Sequence, residues 1–144
     1  MSSKFYEYFK ENMDGLGLDA PETLFGSLGT AYGTLQTLVS AIDKFGTRVT
    51  VLEVIGASTQ VEALIAVGAV SAAGYAGACI GSFAVATGRT LSGGTSIADV
   101  METASAYGLN RTWLPGILAR SPEIYRRPLQ PKTQQSYAHR AIAH

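Results

Sequence analysis

The stretch AVSAAGYAGACIG, residues 69–81, decides how this chain is read. It carries no charge, and Ala69, Ala73, Gly77 and Gly81 recur every four residues, so a helix places them on one face. Such a face lets a second helix backbone approach closely. In water the pattern is costly, because each glycine inside a helix forfeits about 1 kcal/mol relative to alanine. Gly68, Gly74, Gly77 and Gly81 therefore need a packing reason. The stretch lies within a longer uncharged run, Ala63 to Gly88, 26 residues closed by Arg89.

A second uncharged run precedes it. Asp19-Ala20-Pro21-Glu22 reads as a helix start, an N-cap acid with proline in the first turn and an acid three residues on. From Thr23 to Ile42, 20 residues pass without a charge before Asp43 and Lys44. Bulky residues at 24, 25, 28, 32, 35, 38, 39 and 42 follow helical spacing. Gly26, Thr30, Gly33, Thr37 and Ser40 form a small, hydroxylated stripe opposite them, and Gly29 with Gly33 makes another four-residue glycine step.

Both runs reach the roughly 20 residues that a helix needs to cross a hydrocarbon core of about 30 Å. Each holds seven residues from Leu, Ile, Val and Phe. At roughly −0.3 to −0.6 kcal/mol apiece, the gross insertion gain is only about −2 to −4 kcal/mol per run. One central Glu would cancel it. Such a chain is expected to stay soluble for a time and insert later.

The remainder reads as short helices. Phe5, Tyr6, Tyr8, Phe9 and Met13 belong to an opening helix stopped near Gly15 and Gly17. Residues 47–62 are taken as helical, although the β-branched residues within 49–55 also suit a strand. After a loop at 88–95, Ser96-Ile97-Ala98-Asp99 is a capping box opening a helix to Tyr107, closed by Gly108. Trp113 to Leu118 fits a short turn or helix, and residues 121–144 read as an irregular, basic, proline-containing tail. The expected fold is all-α, one helical domain over 1–120 with a central hairpin of two long helices over about 20–90.

With 144 residues there is room for one core. Charged residues make up only 15%, against the quarter usual for soluble domains, while 47% are apolar and much of that is small. Zero net charge gives no field that would gather nucleic acid. The charge is nonetheless polarised, with five acids against Lys4 and Lys10 in residues 1–22, and six bases against Glu123 in residues 111–144. A lone cysteine, Cys79, leaves no internal disulfide and reads as a buried thiol. His139 and His144 do not make a metal site, and Gly88 to Ser96 lacks the lysine and spacing of a phosphate loop. No Ser-His-acid or paired-carboxylate arrangement is present, so the expectation is a non-enzyme without cofactor. The charged start Met1 to Glu7 does not have the pattern of a signal peptide, so synthesis in the cytosol is the expectation.

At the Ala69-Ala73-Gly77-Gly81 zipper the chain resembles the small pore-forming antibacterial effectors of bacterial type VI secretion systems. The resemblance covers roughly residues 20–90 and leaves residues 111–144 unexplained. It implies synthesis in a bacterial cytoplasm, export without a cleavable signal peptide, and action at the target cell's inner membrane by dissipating ion gradients. It also implies a secretion-tube or chaperone carrier and a cognate immunity protein. On this reading Gly29, Gly33, Ala69, Ala73, Gly77 and Gly81 pack helices in a membrane homo-oligomer. The stripe Gly26, Thr30, Gly33, Thr37 and Ser40 lines the pore. The alternative is a soluble helical binding module whose small residues pack as a core.

Overall fold

A computed structural model describes residues 4–57, 59–67, 70–88 and 96–125. Among them the fold is all-α. Helix α1 spans Lys4–Leu16, α2 Glu22–Phe25, α3 Leu28–Phe45, α4 Val51–Ala57, α5 Ala72–Gly88, α6 Ile97–Ala106 and α7 Leu114–Arg120. Two 3₁₀ segments, η1 at Thr59–Val67 and η2 at Pro122–Ile124, complete it.

Helix α1 buries Tyr6, Phe9, Asn12, Met13 and Leu16, one face at helical spacing. Gly17 ends it with φ 79, because its own N–H reaches Asp14 O and the Leu18 N–H reaches Met13 O, a paired closure that requires a left-handed residue. Gly108, at φ 70, closes α6 in the same way, with the Leu109 N–H on Ala104 O. The Ser96–Asp99 capping box is formed as its spacing predicts.

Neither uncharged run is one continuous helix. The first breaks after four residues of α2, whose N-cap is Pro21 with no side-chain cap rather than Asp19. Ser27 then starts α3 afresh, its Oγ accepting the Thr30 N–H at 3.2 Å. Thr34 Oγ1 donates to Leu24 O at 2.7 Å and folds α2 back onto α3. The second run begins in η1, which is kinked at Val61, and becomes α-helical only at Ala72. Ser71 supplies that start: its Oγ accepts the Gly74 N–H at 3.0 Å.

An isolated antiparallel bridge, Thr50 with Ser71, pins this junction. The Val51 N–H donates to Val70 O at 2.9 Å and the Ala72 N–H to Val49 O at 2.8 Å. Residues 47–62 are thus helical over most of their length, and the β-branched Val49-Thr50 pair still finds an extended partner. Thr50 and Glu53 exchange backbone-to-side-chain bonds that cap α4.

The core forms around α5. Every residue from Ala72 to Ala86 is buried, so over this stretch no side of the helix meets water. Helices α1, α3, α4, α6 and α7 and segment η2 all pack on it. Aromatic rings pack against one another within it: Phe9 stacks on Phe25 at 4.8 Å between centroids, and Phe83 meets Phe5 and Tyr107 edge-on. At the surface, Arg111 forks onto both Asp43 oxygens at 3.0 and 3.1 Å and ties the loop before α7 to the end of α3.

Candidate functional site

The most unusual feature is α5 itself. A helix apolar on all sides belongs either to a deep core or to a bilayer. Here it is a core, and its small residues are used to bring neighbours close. A Cβ added at Gly77 would lie 2.8 Å from Ile117 Cγ2, and one added at Gly81 would overlap Ile124 Cγ2. Gly77 and Gly81 are therefore two sockets filled from within the same chain, by α7 and η2.

A buried polar clasp sits beside them. Asn12 Nδ2 donates to Ser82 Oγ at 2.8 Å and to Ile124 O at 2.7 Å, joining α1, α5 and η2 through one amide. Two turns earlier along the same face of α5, Tyr75 Oη donates to Asp19 O at 2.6 Å, and Tyr6 Oη donates to the adjacent Ala20 O at 2.7 Å. Asp19 thus contributes its carbonyl to a strap under two tyrosines. Burial pushes the Tyr75 hydroxyl well above its ordinary range and the Cys79 thiol likewise upward. A thiol so placed stays protonated and unreactive.

The expected site residues separate into two groups that the fold does not bring together. Ala73, Gly77 and Gly81 are buried on α5, whereas Ala69 lies outside the described residues. Gly29 and Gly33 face outward on α3, and a Cβ added to either would meet nothing within 4 Å. Of the stripe assigned to a pore wall, Thr30, Gly33 and Ser40 are exposed, while Thr37 and Gly26 are half-buried. Thr37 Oγ1 donates to Gly33 O at 3.1 Å. Thr30, Gly33, Thr37 and Ser40 thus share an uncharged, largely exposed face of α3 apart from the zipper on α5, and Gly26 lies off that helix, between α2 and α3.

The residues that sequence reasoning missed are Asn12, Ile117 and Ile124. Asn12 carried a signal, since it falls on the apolar face of α1 between Phe9 and Met13, where a polar side chain needs a partner. Ile117 and Ile124 carried none, because they fall in segments read as a short turn or helix and as a tail.

Among the described residues no helix is long and apolar enough to cross a membrane. No group of three His, Cys, Asp or Glu side chains could hold a metal ion among them, and His139 and His144 lie outside. An open hollow of about 520 Å³ is lined by Phe45, Arg48, Val49, Glu53, Gly56 and Ala57. Leu52 and Ile65 are exposed on α4 and η1. Compared with known protein families, characterised proteins and solved structures, the chain matches none.

Proposed function

We propose that this chain is a membrane-inserting, pore-forming toxin in its stored state, with the apolar helix α5 sheathed by its own amphipathic helices. The observation that supports it most is the 15-residue stretch Ala72–Ala86, buried on every side and made largely of small residues. At 1.5 Å per residue, the 17 residues of α5 extend about 25 Å, short of a hydrocarbon core of about 30 Å. The full uncharged run of 26 residues would extend about 39 Å as one helix. Insertion thus requires the junction at Val70-Ser71 to leave its bridge with Val49–Val51 and become helical. Chains would then associate through small faces, since two helices per chain cannot enclose a pore. Such a toxin needs a carrier and an immunity protein in its producer.

A second reading, a helical interaction module, is favoured by one specific observation: Gly77 and Gly81 are already satisfied by Ile117 and Ile124. Release of a trapped dye from anionic liposomes separates the two. The toxin reading expects leakage at submicromolar protein, with loss of the Thr50–Ser71 bridge reported by faster amide exchange at Val51 and Ala72. No leakage at any protein concentration, with a sharp cooperative melt, would leave the interaction module.

A further inference from the structure

The segment that covers the two glycine sockets is built differently from the rest of the sheath. Helix α7 has seven residues and η2 three, too short to be stable alone. They are held by what they touch: Ile117 over Gly77, Ile124 over Gly81, and the Asn12 amide on the Ile124 carbonyl. Leu114 and Leu118 are fully buried behind them. Upstream, the chain turns at Gly108, and Arg111 is fastened to Asp43 of α3 at the protein surface. Ten residues follow Arg111 before Pro122 begins η2, so the segment has an anchored start and a covering that ends in a single buried hydrogen-bonded turn.

The geometry points to Leu114–Tyr125 as an autoinhibitory latch, which occupies in the stored chain the glycine face that self-association of α5 would use. This rests on the membrane reading above. A helix face with glycines four apart accepts one close neighbour. While Ile117 and Ile124 fill both sockets, a second copy of the chain has no access to them. Latched and oligomerised states are therefore mutually exclusive at Gly77 and Gly81, and lifting the latch is the step that commits the chain to association. Sub-global opening of a short, weakly self-stable unit ahead of the central helices is the expected order.

The test is a cross-link across one socket. A Cβ at Gly77 would lie 3.6 Å from Ile117 Cβ, within the separation that a disulfide bridges. The variant Gly77→Cys/Ile117→Cys is made with Cys79→Ala, so that no third thiol competes. Dye release from anionic liposomes is measured oxidised and reduced. The latch predicts leakage at least tenfold slower when oxidised and recovery on adding reductant. A companion variant, Ile117→Ala, empties one socket without a cross-link and should leak several-fold faster than wild type. Equal leakage from oxidised and reduced protein, or from Ile117→Ala and wild type, overturns the latch and leaves the membrane reading standing. If wild type itself does not leak, the membrane reading fails, and hydrogen exchange of the wild-type chain in water judges the latch. Amides of 114–125 exchanging at least tenfold faster than those of α1 and α5 support an independently opening unit, whereas equal rates overturn it.

Discussion

The contact of Gly81 with Ile124 predicts a change of sign in a double-mutant cycle. In wild type, Gly81→Ala adds a methyl that overlaps Ile124 Cγ2, a carbon too close to its own backbone to swing away. Overpacking of this kind costs about 1–3 kcal/mol, while alanine returns about 1 kcal/mol of helix propensity. Given the depth of the overlap, a net loss of about 2 kcal/mol is expected. Ile124→Ala alone empties a fully buried site and should cost about 2–5 kcal/mol.

With Ile124 already alanine, the obstructing Cγ2 is gone and the nearest remaining atom, the residue-124 Cβ, lies 3.5 Å from the new methyl, an ordinary contact. Gly81→Ala should then stabilise by about 1 kcal/mol, from propensity and from filling part of the void. The coupling between the two sites is thus about 3 kcal/mol. Urea unfolding, followed by helical circular dichroism with the slope checked for constancy, measures it. Additivity within about 0.5 kcal/mol would refute the socket.

The other two predictions concern glycine at the surface and titration in the core. Gly33→Ala on α3 points into open space and should stabilise by up to about 1 kcal/mol, seen as a higher urea midpoint. Cys79 and Tyr75 have their proton affinity raised by burial from ordinary values of 9.0 and 10.0, so above these values the unfolded chain ionises while the folded chain does not. The unfolded state then binds fewer protons, and stability is full below about pH 9 and falls as pH rises, by about 1.4 kcal/mol per pH unit for each group. Cys79→Ala should remove the earlier part of that slope in melts between pH 8 and 10, and an unchanged slope would show that the thiol is not the group responsible.

Local signals in the sequence were reliable wherever one residue settles the backbone. Gly17 and Gly108 stop helices because the chain needs positive φ there, and Ser96 with Asp99 opens α6 because both partners lie within four residues. The apolar spacing of α3 is likewise visible, since Leu35, Leu38, Val39 and Ile42 are all buried on one side. The break at Gly26-Ser27 was hidden because the bulky residues on its two sides, Leu24, Phe25 and Leu28, keep helical spacing across it. The break before α5 was hidden for another reason. It is made by pairing of Ser71 with Thr50, a contact 21 positions away that local periodicity does not report. The glycine repeat at 77 and 81 signals close packing without naming a neighbour, and in the fold Ile117 and Ile124 of the same chain lie against it. Ile124 lies beyond Ser121, where proline and arginine resemble a tail although the packed core continues to Tyr125.

On the proposed reading, the balance between stored and inserted states turns on polar contacts rather than on apolar area. The apolar surface of α5 is hidden from water by protein in one state and by lipid in the other. The gross insertion gain of the run that contains α5, about 2–4 kcal/mol from its Leu, Ile, Val and Phe residues, is therefore an upper bound on what favours the inserted state. Against it stand the side-chain bonds that α5 makes to other elements, Tyr75 to the Asp19 carbonyl and Asn12 to Ser82. At about 0.5–1.5 kcal/mol each, they contribute about 1–3 kcal/mol to the stored state. The opposing amounts are of one size, and small external terms decide between them. A carrier that binds the latched form would tip the balance one way, and an anionic bilayer that draws in the exposed Leu52 and Ile65 would tip it the other. A helix rich in leucine would insert too strongly to be stored, and a charged one would not insert at all. The small-residue composition of α5 places it between them, because glycine sockets let a few side chains hold the helix in water without adding hydrophobic bulk.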